Sequence, residues 1–153
     1  MNLIKALIII AISSTTLLAG FAKTDKLVAE AIKEVGEVTP KTLKKMIDNE
    51  EAFIVLDIRE IKDRQGGEIY SEEYYALTRG SLEFEVGNII KDKNVKIVTY
   101  CLAGNAGALA AQTLRNLGYE KATNLQGGLK AWAEAGYPIE TSLGVLILNK
   151  EDE

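Results

Sequence analysis

The stretch Val95-Lys-Ile-Val-Thr-Tyr-Cys101-Leu-Ala-Gly-Asn-Ala-Gly-Ala-Leu-Ala-Ala-Gln-Thr-Leu-Arg-Asn-Leu117 reads as a strand, a short loop and a helix. Val95, Ile97, Val98 and Tyr100 are β-formers in a short apolar run, the pattern of a strand buried inside a sheet. From Ala106 the composition turns to Ala, Leu, Gln and Arg, all good helix formers. Leu109, Leu114 and Leu117 fall on roughly one helical face, and Gly118 supplies the stop. Between strand and helix lies Cys101, the only cysteine of the chain, followed by Leu102, Ala103, Gly104, Asn105 and Ala106.

A loop entering a helix presents unpaired backbone N–H groups at the positive end of the helix dipole, so a thiolate placed there is stabilised. Gly104 permits the tight turn that aims amides at the sulfur. The same cradle suits a persulfide anion or a small oxyanion. A free cysteine is most often a small buried apolar residue. The strand–loop–helix context favours a reactive nucleophile here.

These residues resemble the active-site loop of single-domain rhodaneses, the thiosulfate sulfurtransferase superfamily. Three further segments resemble that family in its own order and spacing. They are Leu56-Asp57-Ile58-Arg59-Glu60, Arg79-Gly80-Ser81-Leu82-Glu83-Phe84, and Leu117-Gly118-Tyr119 followed by Asn124 to Trp132. The resemblance implies a persulfide on Cys101, with Leu102, Ala103, Gly104, Asn105, Ala106 and Gly107 as the anion cradle. Asp57, Arg59 and Arg79 are implied in support, with a structural ion pair as the competing reading of Asp57 and Arg59. It implies no cofactor and no metal. The partners it implies are a small sulfur-containing donor, a thiol or cyanide acceptor, and in one variant a periplasmic protein. A non-catalytic binding or sulfur-carrier module is the alternative. The same fold also serves dual-specificity phosphatases, whose loop is Cys-x5-Arg. Here the Arg position is Gly107, so the bidentate phosphate clamp is missing.

Outward from this core, Met1 to Ala22 has the pattern of a secretory signal peptide: Lys5, the apolar run Ala6 to Ala11, and small residues closing at Ala22. Cleavage there would make the protein periplasmic in a bacterium; an uncleaved membrane anchor is the alternative. Removal takes away Lys5 alone, turning 18 basic and 22 acidic residues into 17 against 22. An acidic chain is a poor partner for nucleic acid or anionic lipid. With no histidine there is no His–Cys dyad, and an unpaired cysteine in an exported protein points to a reactive thiol.

The expected organisation is a linker or lead-in helix over 23–37, one domain over 38–140, and a tail over 141–153. Strand–helix alternation predicts a three-layer α/β domain, a central parallel sheet with helices on both faces. Thr39-Pro40 opens a helix to about Glu50, Ala52–Asp57 is a buried strand, and Ser81 opens a helix to about Ile90. From Ile61 to Arg79 the family pattern lapses. The acidic, aromatic stretch from Glu68 to Tyr75 is expected as an altered substrate lip or a solvated loop.

Overall fold

The computed structural model describes residues 22–148, so the proposed signal segment lies, but for Ala22, outside the described residues. Its centre is a five-stranded sheet in the order β1-β5-β4-β2-β3, with every pairing parallel. The strands are β1 (Glu37–Val38), β2 (Ile54–Asp57), β3 (Tyr74–Ala76), β4 (Ile97–Tyr100) and β5 (Ala122–Leu125). Parallel neighbours need crossovers, and helices supply most of them: α2 (Pro40–Asp48), α3 (Leu82–Ile89), α4 (Asn105–Asn116) and α5 (Gly128–Glu134). A helix over 22–35, here α1, precedes them.

Side-chain alternation divides the core into two layers. Ile54, Leu56 and Ile97 face one way and pack with Val86 of α3 and with Ala110, Ala111 and Leu114 of α4. Val55, Val98 and Tyr100 face the other way and meet Leu43 and Met46 of α2 and Leu129 and Trp132 of α5. Both faces of β2 and β4 are therefore buried, which is why these strands read as unbroken apolar runs. The expected three-layer architecture is the one observed.

Local chemistry explains the element ends. Thr39 Oγ1 accepts the Thr42 N–H at 3.1 Å and Pro40 occupies the first turn of α2. In α1, Val28, Ala31 and Val35 are buried at helical spacing. The helix is held to α4 by Arg115, which donates to the carbonyls of Glu34 at 2.7 Å and Val35 at 2.8 Å. The lead-in helix thus packs into the domain, and Glu37 already belongs to the sheet.

The stretch expected as a lip or solvated loop is different in form. Ile69 is wholly buried, and Tyr74–Ala76 is the edge strand, aligned with Val55–Asp57. Glu68 forms an antiparallel bridge with Glu140. The acidic residues Glu72 and Glu73 just before β3 hide the strand in the sequence, and charge beside an edge strand helps to guard an open sheet edge. The last described residues form the hairpin β6 (Ile139–Thr141) and β7 (Gly144–Leu146).

Candidate active site

Cys101 follows the last residue of β4 and precedes α4, at the C-terminal end of the central strand. Ligand sites of open α/β sheets gather at such ends. The backbone N–H of Gly104 donates to Cys101 Sγ at 3.1 Å. Gly104 adopts φ +95°, and a Cβ there would lie 3.1 Å from the backbone nitrogen of Gly127.

The loop's carbonyls point the other way. Leu129 N–H donates to the Cys101 carbonyl and Lys130 N–H to the Leu102 carbonyl, each at 2.9 Å. These are free N–H groups of the first turn of α5, so the Cys loop caps that helix. With no cis peptide among the described residues, the N–H groups of Leu102 and Ala103 then point away from α5. This pair of hydrogen bonds therefore caps α5 and orients the amides of the cradle. It depends on Gly127-Gly128, which the sequence marks only as a tight turn. Gly128 has φ +60°, and a Cβ on it would lie 2.4 Å from the Cys101 carbonyl oxygen.

Above the sulfur opens a cavity of about 370 Å³. Leu102, Ala103, Asn105 and Ala106 line one side; Ile58, Arg59 and Arg79 are also in its wall. The structure thus brings most of the expected site residues together. Gly107 lies beneath instead, buried in α4 with its carbonyl bonded by Thr99 Oγ1 at 2.8 Å. A Cβ at Gly107 would fall 2.3 Å from Asn124 Oδ1. A side chain at the position that would carry a phosphatase arginine would have to displace the buried Asn124 amide.

The two arginines differ in availability. Arg59 is 5% exposed and Asp57 is fully buried. Arg59 Nη2 donates to Asp57 Oδ2 at 2.6 Å and to the Gly67 carbonyl at 2.8 Å, and Nη1 to the Asp63 carbonyl at 3.0 Å. Tyr100, in sequence one more apolar strand residue, donates its hydroxyl to Asp57 Oδ2 at 2.8 Å. Burial alone would lower the Arg59 pKa, but the Asp57 hydrogen bonds, with the charges of Tyr100 and Asp57, outweigh it and raise the value. The reading of Asp57–Arg59 as a structural ion pair that holds the Ile58–Gly67 segment fits this geometry. Arg79 is only half-buried. Its Nη1 binds Glu83 at 2.9 Å and its Nη2 binds Thr113 of α4 at 3.0 Å. Burial raises the Glu83 pKa slightly, but the Arg79 bond and charge dominate and lower it, so the pair stays ionised near neutrality. Glu83 and Thr113 hold this cation at the cavity wall.

Residues 39–135, more than half of the chain, match the rhodanese-like domain model. A sulfurtransferase of Allochromatium vinosum is 30% identical over 105 residues, covering 69% of this chain and 94% of the relative. A protein of Rhodopseudomonas palustris, described as a possible tyrosine phosphatase, has a structure with TM-score 0.70 at 28% identity; 76% of this chain and 93% of that one are covered. The polysulfide-sulfur transferase homodimer of Wolinella succinogenes gives TM-score 0.67 at 26% identity, over 77% and 87% of the two chains. Against two other curated relatives the chain spans about half of their length. Matched along most of the sheet, from the cap of α2 to the end of α5, the chain belongs to the rhodanese-like domain family.

Proposed function

We propose that this chain is a sulfurtransferase that carries sulfane sulfur as a persulfide on Cys101. The observation behind this reading is the Gly104 N–H donated to Sγ at 3.1 Å, at the N-terminal end of α4 and under an open cavity. A backbone donor and a helix dipole both favour an anionic sulfur, which is the attacking species before transfer and the charged end after it. The thiolate attacks the outer sulfur of the donor. The donor's S–S bond breaks and its electron pair leaves with the remainder, which is sulfite from thiosulfate or a polysulfide anion one sulfur shorter. A thiophilic acceptor such as cyanide or a thiolate then takes the outer sulfur and restores the Cys101 thiolate.

Donor choice follows from charge. The loop side chains are neutral, Arg59 is consumed by Asp57, and Arg79 alone of the arginines in the wall is partly open. Such a site suits a polysulfide or a persulfide better than the compact thiosulfate dianion. A sulfur donor met in the periplasm fits the signal-peptide reading of Met1–Ala22.

Intact mass of the purified protein after polysulfide or thiosulfate, beside Cys101→Ser, tests the proposal. A gain of one sulfur in the wild type alone, reversed by cyanide, is expected. A folded wild type with a free thiol that gains nothing from either donor overturns it in favour of a binding module.

A further inference from the structure

The cations around the Cys101 cavity are each held by a carboxylate. Arg59 and Arg79 line the cavity, as do Glu60 and Asp63. Arg59 is bound to Asp57, and Arg79 Nη1 donates to Glu83 Oε1 at 2.9 Å and Oε2 at 3.1 Å. Glu60 and Asp63 have no ion-pair partner among the described residues. A donor anion therefore meets two arginines and no net positive charge.

The two ion pairs differ in what their carboxylates can give up. Asp57 is fully buried with Arg59, so its removal strands a buried guanidinium. The side chains of Arg79 and Glu83 are 35% and 39% exposed, so removal of the Glu83 charge strands nothing. Glu83 is not part of the cavity wall, and it touches the site only through Arg79. Arg79 also has a second anchor: Nη2 donates to Thr113 Oγ1 at 3.0 Å, on the helix that follows the Cys101 loop. The guanidinium thus stays at the wall whether or not Glu83 is charged. What the carboxylate controls is whether the Nη1 face is occupied or free to bind a donor.

We infer that Glu83 is a positioning residue that sets donor specificity: by occupying Arg79 it disfavours dianionic sulfur donors at Cys101. This rests on the persulfide reading of Cys101. In the loading step the Cys101 thiolate bonds to the outer sulfur of the donor as the donor's S–S bond breaks. The electron pair leaves with sulfite from thiosulfate, a dianionic donor, or with benzenesulfinate from benzenethiosulfonate, a monoanionic one. The same bonds form and break in both, and the charge offered to Arg79 differs.

Rate constants for Cys101 loading by these two donors, followed by intact mass, test the inference. Glu83→Gln is expected to raise the thiosulfate-to-benzenethiosulfonate ratio roughly threefold to fivefold, with a smaller rise at high salt. In the Arg79→Ala background the same substitution is expected to leave the ratio nearly unchanged. Two variants with unaltered Arg79–Glu83 pairing are expected to show no rise. Thr113→Val keeps Glu83 as the remaining anchor, and Glu120→Gln removes an exposed charge just before β5, at the strand ends remote from Cys101. An unchanged ratio in a Glu83→Gln protein that loads sulfur overturns the inference. So does an equal rise without Arg79, or in either control. A wild type that loads from neither donor overturns the persulfide reading itself, and this inference with it.

Discussion

Gly128 and Cys101 are packed backbone against backbone: a Cβ on Gly128 would lie 2.4 Å from the Cys101 carbonyl oxygen and 2.8 Å from the Gly104 nitrogen. Neither atom can swing aside as a side chain would, and φ +60° adds its own cost. Gly128→Ala is expected to destabilise the fold by about 3 kcal/mol and to lower the yield of Cys101 persulfide in what remains folded. Gly87 is the control. It lies inside α3, without a positive φ and with nothing within 4 Å of a built Cβ. Gly87→Ala should stabilise by about 0.5–1 kcal/mol. Urea denaturation of the two variants checks both signs.

That pair of glycines also marks what can be read from this sequence. The Cys loop is legible because composition changes within a few residues, from the β-branched run Ile97-Val98-Thr99 to the alanine-rich helix after Asn105. The role of Gly128 is not, because the contact joins segments more than twenty residues apart and is made by backbone. Tyr100 reads as another apolar strand residue, and only the fold brings its hydroxyl to Asp57. Strand β3 escapes because three residues paired to a single neighbour need no apolar run, and the acidic residues before it imitate a loop.

Arg79 offers a kinetic test of the charge argument. Held by Glu83 and Thr113, it stands in the cavity wall without being consumed by a buried partner as Arg59 is. Arg79→Ala is expected to lower kcat/KM for polysulfide by roughly tenfold, the size of one charge-assisted contact. Single-turnover transfer from preloaded Cys101 to a neutral thiol should change much less. Steady-state rates with thiosulfate are expected to stay well below those with polysulfide in the wild type, and comparable rates would refute the donor preference.

Asp57 and Arg59 form a pair that cannot be half removed. Taking away either partner leaves a charge buried without compensation, so Asp57→Ala or Arg59→Ala should cost about 3–5 kcal/mol. The Asp57→Ala change also leaves the hydroxyls of Tyr74 and Tyr100 without their acceptor. Because Arg59 grips the carbonyls of Asp63 and Gly67, hydrogen exchange over Ile61–Gly67 should rise in Arg59→Ala before global unfolding.

The same network makes stability sensitive to alkali. Burial is the main cause that raises the Tyr100 pKa, and the neighbouring Asp57 charge adds to it against a smaller opposing effect of Arg59. In the unfolded chain the phenol titrates near its ordinary value of 10.0. Above that pH the unfolded state releases a proton that the folded state retains, so the unfolded state is favoured. The contribution of Tyr100 is therefore fully present below pH 10 and is lost as pH rises from there toward the folded-state value. A loss approaching about 1.4 kcal/mol per pH unit is expected above that point. Tyr100→Phe removes the titrating group, so its stability should start lower, for want of the Asp57 hydrogen bond, and fall less steeply with pH. Urea unfolding of both proteins between pH 9 and 11.5 measures the difference in slope, and parallel curves would show that the phenol ionises in the folded protein as it does in water.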